Sequence, residues 1–325
     1  MTVRRTLPAR ERSFVGAWCF VDHYGPDDVA DVGGMDVAPH PHCGLATVTW
    51  LFTGAIEHRD SLGTYAVVRP GEVNLMTAGR GIAHSEVSLP ETTVLHGVQL
   101  WVVLPSADAW GHPRFEHHVP ELVKPSPGVT ARVFVGSLWG STSPVRVATP
   151  LLGAEVVLAP GVTVEVPVPE GFEFAVLHDR GEVTVNGRSL RPGELGVALD
   201  TVGGPRDGST HVGGSVPPEM GSEDDGSVDG DLGARPTSVV LRAGTEGARV
   251  LLLGGEPFGE EVVMWWNFIG RSQEEIVAAR EEWNGWGPRF GYVDGYVPRV
   301  SGDPTWLPAP GLPGVRLKPR GNRTH

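Results

Sequence analysis

From about residue 14 to residue 105 the chain runs in short apolar segments, LATVTWLF, YAVVRP, EVNLMTA and VLHGVQLWVVL, set apart by glycine-bearing turns such as TGA, SLGT and AGRG. Runs of this length, rich in valine, threonine and aromatics and bounded by turn residues, predict β-strands. A second series of the same texture begins near residue 131 with ARVFVGSL, continues through AEVVLAPGVTVEVPV, FEFAVLHDRGEVTVNG and GELGVAL, and resumes after a gap with SVVLRAG and ARVLLLGG. RPGEVNLM in the first series and RPGELGVA in the second place the same Pro-Gly turn ahead of an outgoing strand. The pattern predicts one all-β plan used twice: a unit over residues 1–125, a second over 126–300, and an extended tail over 301–325.

Two stretches break the rhythm. Residues 203–236 carry almost no large aliphatic side chain and an acidic cluster of Glu223, Asp224, Asp225, Asp229 and Asp231. Such a segment cannot bury enough surface to offset its ordering entropy, so it is expected to be a mobile surface insertion. The sequence SQEEIVAAREEWNG predicts one helix: Ser272 can cap it, Glu275 completes a capping box, Ile276, Ala279 and Trp283 share a face, and Gly285 can end it.

Composition agrees with a turn-rich β-protein, since the 325 residues include 45 glycines and 29 prolines and are 40% hydrophobic. Lys and Arg number 26 against 39 Asp and Glu, and the formal charge of −13 opposes general attraction to nucleic-acid phosphates. The basic opening leads into no apolar signal-peptide core, and no apolar stretch is long enough to span a bilayer, so a cytoplasmic protein with no membrane partner is expected. Cys19 and Cys43 are the only cysteines, which predicts reduced thiols and no disulfide scaffold.

The candidate chemistry is in the first series, which with its flank holds nine of the twelve histidines by residue 118. His40-Pro41-His42 and His84-Ser85-Glu86 each place two ligand types at i and i+2, and on a strand those positions share a face. Two such strands assemble three imidazoles and one carboxylate, leaving positions open on a five- or six-coordinate metal. The glycine framing, Gly34 ahead of His40 and Pro70-Gly71-Glu72 with Gly79 ahead of His84, follows the order and spacing of cupin motifs.

HPHCGLATVTW, EHRDSLG and MTAGRGIAHSE resemble the signature stretches of the pirin family; FVDHYGPDD resembles that family's N-terminal segment, and LLLGGEPFGEEVV with the following helix its C-terminal one. The resemblance implies two tandem cupin (jelly-roll-type) β-barrels with a C-terminal helix. It implies a single metal, most often Fe(II), held by His40, His42, His84 and Glu86 in the first barrel; three histidines and a glutamate also accept Ni, Co, Mn or Cu. The chain departs from the family after His42, where Cys43, Leu45 and Ala46 stand in place of the usual Arg and Phe-Glu. Losing an Arg and a Glu together leaves no buried charge unpaired. Strand alternation turns Cys43 away from His42, as a packed core thiol.

The activity the resemblance implies is that of a quercetin 2,3-dioxygenase-like oxidoreductase. A flavonol-type or related aromatic enol would react with dioxygen, with Glu86 as the catalytic base for its hydroxyl proton. The alternative is a non-enzymatic metal- or redox-sensing regulator that binds a transcription factor or enzyme partner, for which the acidic insertion would be a docking surface. Among the remaining polar residues, Glu57, His58, Arg59 and Asp60 read as a solvated strand end, His96 as a satisfied core histidine, and His117 and His118 as loop residues. His178 lacks an i+2 partner, so the second unit is expected to hold no metal.

Overall fold

The structure is a computed structural model that describes residues 1–10, 12–31, 34–198 and 237–322, with the backbone of 211–212. The first series of apolar runs forms β1 (Val3–Leu7), β2 (Trp18–Asp28), β3 (Asp36–His42), β4 (Leu45–Thr53), β5 (Ile56–Asp60), β6 (Tyr65–Val68), β7 (Val73–Thr77), β8 (Ile82–Ser88), β9 (Val94–Val103) and β10 (Arg114–His118). These strands make a six-stranded antiparallel sheet, β1-β2-β9-β4-β7-β10, and a four-stranded one, β3-β8-β5-β6. Together they enclose the first barrel. His117 and His118 therefore lie in a strand paired with β7, and not in a loop as expected. Their neighbours Pro113 and Pro120 mark only where that strand begins and ends.

The second series forms β11 (Val123–Ser126), β12 (Val129–Val135), the short pair β13 (Ser137–Leu138) and β14 (Ser141–Thr142), β15 (Leu151–Leu158), β16 (Thr163–Pro167), β17 (Glu173–Val185), β18 (Arg188–Leu190), β19 (Leu195–Ala198), β20 (His211–Val212) and β21 (Ser238–Gly255). Their main sheet runs β11-β12-β15-β21-β17-β19-β20, with β16 paired to β21 and β18 to β17. Its interior is apolar, filled by residues such as Val133, Leu152, Phe174, Val176 and Leu252. The acidic insertion expected at 203–236 lies outside the described residues, save the backbone of His211 and Val212.

The duplication is visible in one small device. At each Arg-Pro-Gly-Glu turn the Glu N–H donates to the Arg carbonyl, Glu72 to Arg69 at 3.0 Å and Glu194 to Arg191 at 2.9 Å. The same glutamates accept from the arginine backbone N–H, at 3.0 and 2.8 Å. Gly71 and Gly193 sit at φ +81 and +79, the left-handed position such a turn reserves for glycine.

Alternation along β4 and β9 gives the six-stranded sheet two different faces. Val48, Trp50 and Phe52, with Val98, Leu100 and Val102, face the second barrel and join Phe134, Leu151, Leu251 and Leu253 in one continuous core. Trp50 stacks on Phe134 at 4.7 Å and donates Nε1–H to Glu155 at 2.7 Å. Each fully buried leucine in this seam contributes about 1.5–3 kcal/mol, so the two barrels are joined by hydrophobic burial. Thr49, Gln99 and Trp101 point the other way, into the first barrel, where the candidate ligands lie.

Beyond the second sheet the chain returns to the first barrel. β22 (Val263–Trp265) pairs with β23 (Phe268–Gly270), and α1 (Gln273–Asn284) follows. Ser272 caps the helix as its sequence predicts, its side chain accepting from Glu275 N–H at 3.2 Å, while the Glu275 carboxylate reaches one residue further back than a capping box, to Arg271 N–H at 2.7 Å. Ile276, Ala279 and Trp283 are its buried face, packed with Cys43, Ala83, Phe268 and Phe290. The chain then runs along β3, where Leu307 N–H donates to the Pro39 carbonyl at 2.8 Å. No helix among the described residues is long and apolar enough to cross a membrane.

Candidate metal centre

β3 is the edge of its sheet, so Pro39 and Pro41 remove no ladder hydrogen bond that the strand needs. Against β8 it carries one extra residue: Val37 faces Glu86 and His40 faces His84, three steps against two. This bulge brings His40 directly opposite His84. On the far side of β8, β5 aligns His58 with Glu86 and Asp60 with His84. Side chains at i and i+2 share a face, so the three strands put His40, His42, His84, Glu86, His58 and Asp60 on one inner wall.

The ligand atoms of His40, His42 and His84 lie within 4.8 Å of one another, and their side chains are 6, 2 and 1% exposed. His42 Nε2 and His84 Nε2 are 3.1 Å apart. His40 Nδ1 lies 2.9 Å from the Ala38 carbonyl, where it donates, which leaves Nε2 with its lone pair free. Burial lowers the His40 imidazole to about 4 and, with the charges of neighbouring histidines, holds His42 and His84 well below the ordinary histidine range. All three are neutral at physiological pH, the form that donates to a metal.

Glu86 shares β8 with His84 but stands outside the 4.8 Å set. Its Oε1 accepts from the Thr49 hydroxyl at 3.2 Å, and that hydroxyl is also 3.0 Å from Gln99 Oε1. Burial raises the Glu86 carboxyl, against the opposing influence of His58 and Thr49. Trp101 presents its ring to His42 at 5.2 Å and 78° and stacks on Phe20 at 4.0 Å, giving the wall an apolar flank. Tyr24 is also buried; burial and the nearby Glu86 charge push its phenol up, and its hydroxyl has no hydrogen-bond partner among the described residues.

The fit to a divalent metal is good: three neutral imidazoles converge, and a carboxylate lies on the same strand face. Cys43 takes no part. It packs with Ala83 and Phe268, and burial raises its thiol to about 11. The next residue, Gly44, has φ +72, and a Cβ there would lie 2.1 Å from the Ile269 carbonyl oxygen, so the turn after the His-Pro-His run requires glycine. Leu45 and Ala46 are buried in the seam core.

His58 and Asp60 differ from the expected solvated strand end. Both are buried, 3 and 2% exposed, while Glu57 and Arg59 face outward and pair with each other at 2.6 Å. The signal was available in Ile56-Glu57-His58-Arg59-Asp60, whose alternation places His58 and Asp60 on the face of Ile56. A second cluster of donor atoms within 4.8 Å, His23, His96 and Asp179, was not anticipated. His23 Nε2 and His96 Nε2 lie 2.8 and 2.7 Å from Asp179 Oδ1, and Arg249 Nε donates to Asp179 Oδ2 at 2.6 Å. His96 is thus a satisfied buried histidine, its partner supplied by the second barrel.

Sequence profiles of known families match this chain at residues 1–102, described as Pirin, and at 207–290, described as the Pirin C-terminal cupin domain. A Pseudomonas aeruginosa protein provisionally named as a quercetin 2,3-dioxygenase is 41% identical over 94% of this chain and 86% of its own length. A pirin-like protein of Caulobacter vibrioides is 36% identical over 86% of this chain and 87% of its own. The crystal structure of a quercetin 2,3-dioxygenase from Acinetobacter baumannii superposes with a TM-score of 0.81 and 34% identity, covering 99% of this chain and 93% of that one. The bacterial pirin YhhW of Escherichia coli, crystallised in complex with nickel(II), shares the fold at a TM-score of 0.54 and 17% identity, over 79% of this chain and 92% of that one.

Proposed function

Because this chain belongs to the pirin family, whose two tandem cupin barrels it carries, we propose that it is a metal-dependent dioxygenase acting on flavonol-type substrates. In this reading His40, His42 and His84 hold one divalent metal, with Glu86 as the fourth ligand and the substrate base. The observation that carries it is the convergence of three buried, neutral imidazoles within 4.8 Å. The donor set accepts Fe(II), and also Ni, Co, Mn or Cu. When bound, the metal supplies Lewis-acid polarisation of an enolic oxygen and a site for dioxygen.

The chain's own side chains account for the rest. The Thr49 hydroxyl holds Glu86 through Oε1, leaving Oε2 to take the substrate's hydroxyl proton. The raised Glu86 carboxyl strengthens it as an acceptor, which is the direction a base for a weakly acidic hydroxyl requires. The unpaired Tyr24 hydroxyl offers a donor to a bound oxygen, and Trp101 with Phe20 provides an aromatic wall that keeps water from the centre. The names of the Pseudomonas and Acinetobacter proteins support the substrate class.

The test is anaerobic purification with metal analysis, followed by oxygen-uptake assays over a panel of flavonols that includes quercetin. Uptake that requires both metal and flavonol is expected. Metal-loaded protein that consumes no oxygen with any member of the panel overturns the dioxygenase reading.

A further inference from the structure

Behind His84 lies a chain of buried groups that the metal reading leaves unused. His84 Nδ1 is 3.3 Å from His58 Nδ1, and His58 Nε2 is 3.1 Å from Asp60 Oδ2. Asp60 Oδ1 accepts from the backbone N–H groups of Leu62 and Thr64 at 2.9 and 3.0 Å, which fixes the carboxylate at the start of the turn. Phe115 stacks on the His58 ring at 4.6 Å and 27°, which fixes its plane.

The protons on this chain can run in two directions, and Asp60 selects one. Asp60 Oδ1 already receives two backbone N–H groups, the arrangement of a carboxylate that accepts at both oxygens. An ionised carboxylate only accepts. His58 Nε2 must therefore carry a proton and donate it to Asp60. When His58 carries only that proton, its Nδ1 has a lone pair and accepts from His84 Nδ1–H. His84 is left with a bare Nε2, which is the atom that faces His42 Nε2.

We propose that Asp60 and His58 are positioning residues that lock His84 in the tautomer a metal ligand needs, and so set the metal affinity of the site. The inference rests on the reading of His84 as a ligand. It adds the direction of the proton chain and identifies the two residues that impose it. A ligating imidazole held by such a partner typically loses about 10–100-fold in metal affinity when the partner is removed.

Asp60→Asn separates this role from a merely structural one. The side chain keeps its shape, and its oxygen can still serve the turn at Leu62 and Thr64. Its amide then donates toward His58 Nε2, which reverses the chain and puts the His84 proton on Nε2. His58→Gln is the conservative control, because its oxygen accepts from His84 and its amide donates to Asp60. In metal-free protein labelled with ¹⁵N-histidine, NMR should show His84 as the Nδ1–H tautomer in wild type and His58→Gln, and as the Nε2–H tautomer in Asp60→Asn. Cobalt(II) affinity, measured by competition with a chelator, should fall about 10–100-fold in Asp60→Asn and stay within a few-fold of wild type in His58→Gln. An unchanged tautomer and affinity in folded Asp60→Asn overturns the proposal, as does loss of both in folded His58→Gln. Wild-type protein that binds no cobalt would instead sink the metal reading, while the tautomer spectra would still judge the proton chain.

Discussion

The first barrel holds two buried histidine clusters, one on the outer face of its six-stranded sheet and one on the inner wall of its four-stranded sheet, and the two differ in charge. On the outer face His23 and His96 meet Asp179 and Arg249 of the second barrel, so one carboxylate is matched by one guanidinium. On the inner wall opposite the sheet, His40, His42 and His84 lie beside Glu86, and among the described residues no guanidinium or ammonium hydrogen-bonds to any of the four. Both clusters bring donor atoms within 4.8 Å, so distance alone does not tell a metal site from a polar joint. The counter-cation does. Arg249 completes the outer cluster from within the chain and also lies over the Phe52 ring at 4.0 Å, whereas no guanidinium among the described residues hydrogen-bonds to the inner cluster, where the proposed metal would supply positive charge.

The sharpest way to break this comparison is to remove a ligand. His42→Ala should strip most of the bound metal while circular dichroism stays that of the wild type, because the imidazole lines an interior wall outside the hydrophobic seam. Full metal occupancy in that variant would show that the centre lies elsewhere. Glu86→Gln keeps the shape of the side chain but cannot take a proton. In metal-loaded protein turnover should drop about 10²–10⁴-fold, with substrate binding little changed. Equal turnover in the two proteins would remove Glu86 from the chemistry.

Arg249→Met attacks the other cluster. It leaves the Asp179 carboxylate buried without its guanidinium, and breaking a buried pair from one side costs about 3–5 kcal/mol. The melting temperature should therefore fall while the metal content per folded chain remains that of wild type. A parallel loss of metal would show that the two clusters are coupled through the sheet. Elemental analysis of wild type after mild chelation should give about one metal per chain; a ratio of two would mean that Arg249 does not close the outer cluster.

The smallest effect is in pH. Burial works to raise the Asp179 carboxyl, but hydrogen bonds from His23 and His96 and the Arg249 charge overcome it, and the group sits far below its ordinary value. A folded pKa below the unfolded one, about 3.9 for Asp, contributes stability that is present above about pH 4 and is lost as pH falls toward the folded value. Acid unfolding of wild type should include this loss, and Asp179→Asn should flatten it. If Asp179→Asn follows the wild-type acid profile, Asp179 carries none of that dependence.

What could be read from residues alone was set by local periodicity. Short apolar runs bounded by glycine-bearing turns marked β4, β7 and β9, the spacing of two in His40-x-His42 and His84-x-Glu86 put each pair on one face, and Ser272 with Glu275 marked the start of the helix. The same rule applied to Ile56-x-His58-x-Asp60 would have turned those residues inward, but their charge gave the opposite reading. Charge is a poor guide to burial where a buried partner waits, as Asp60 shows between His58 and two backbone N–H groups.

The tertiary structure decided everything that depends on which strands are neighbours. The bulge that sets His40 against His84, the distance of Glu86 from the three imidazoles, and the meeting of His23 with Asp179 across 156 residues of chain are of this kind. A dipeptide repeat fixes the face on which a side chain lies, because that follows from backbone geometry within one strand. Register and partner are fixed by the packing of whole sheets, a sum over many distant contacts that no short stretch of sequence contains.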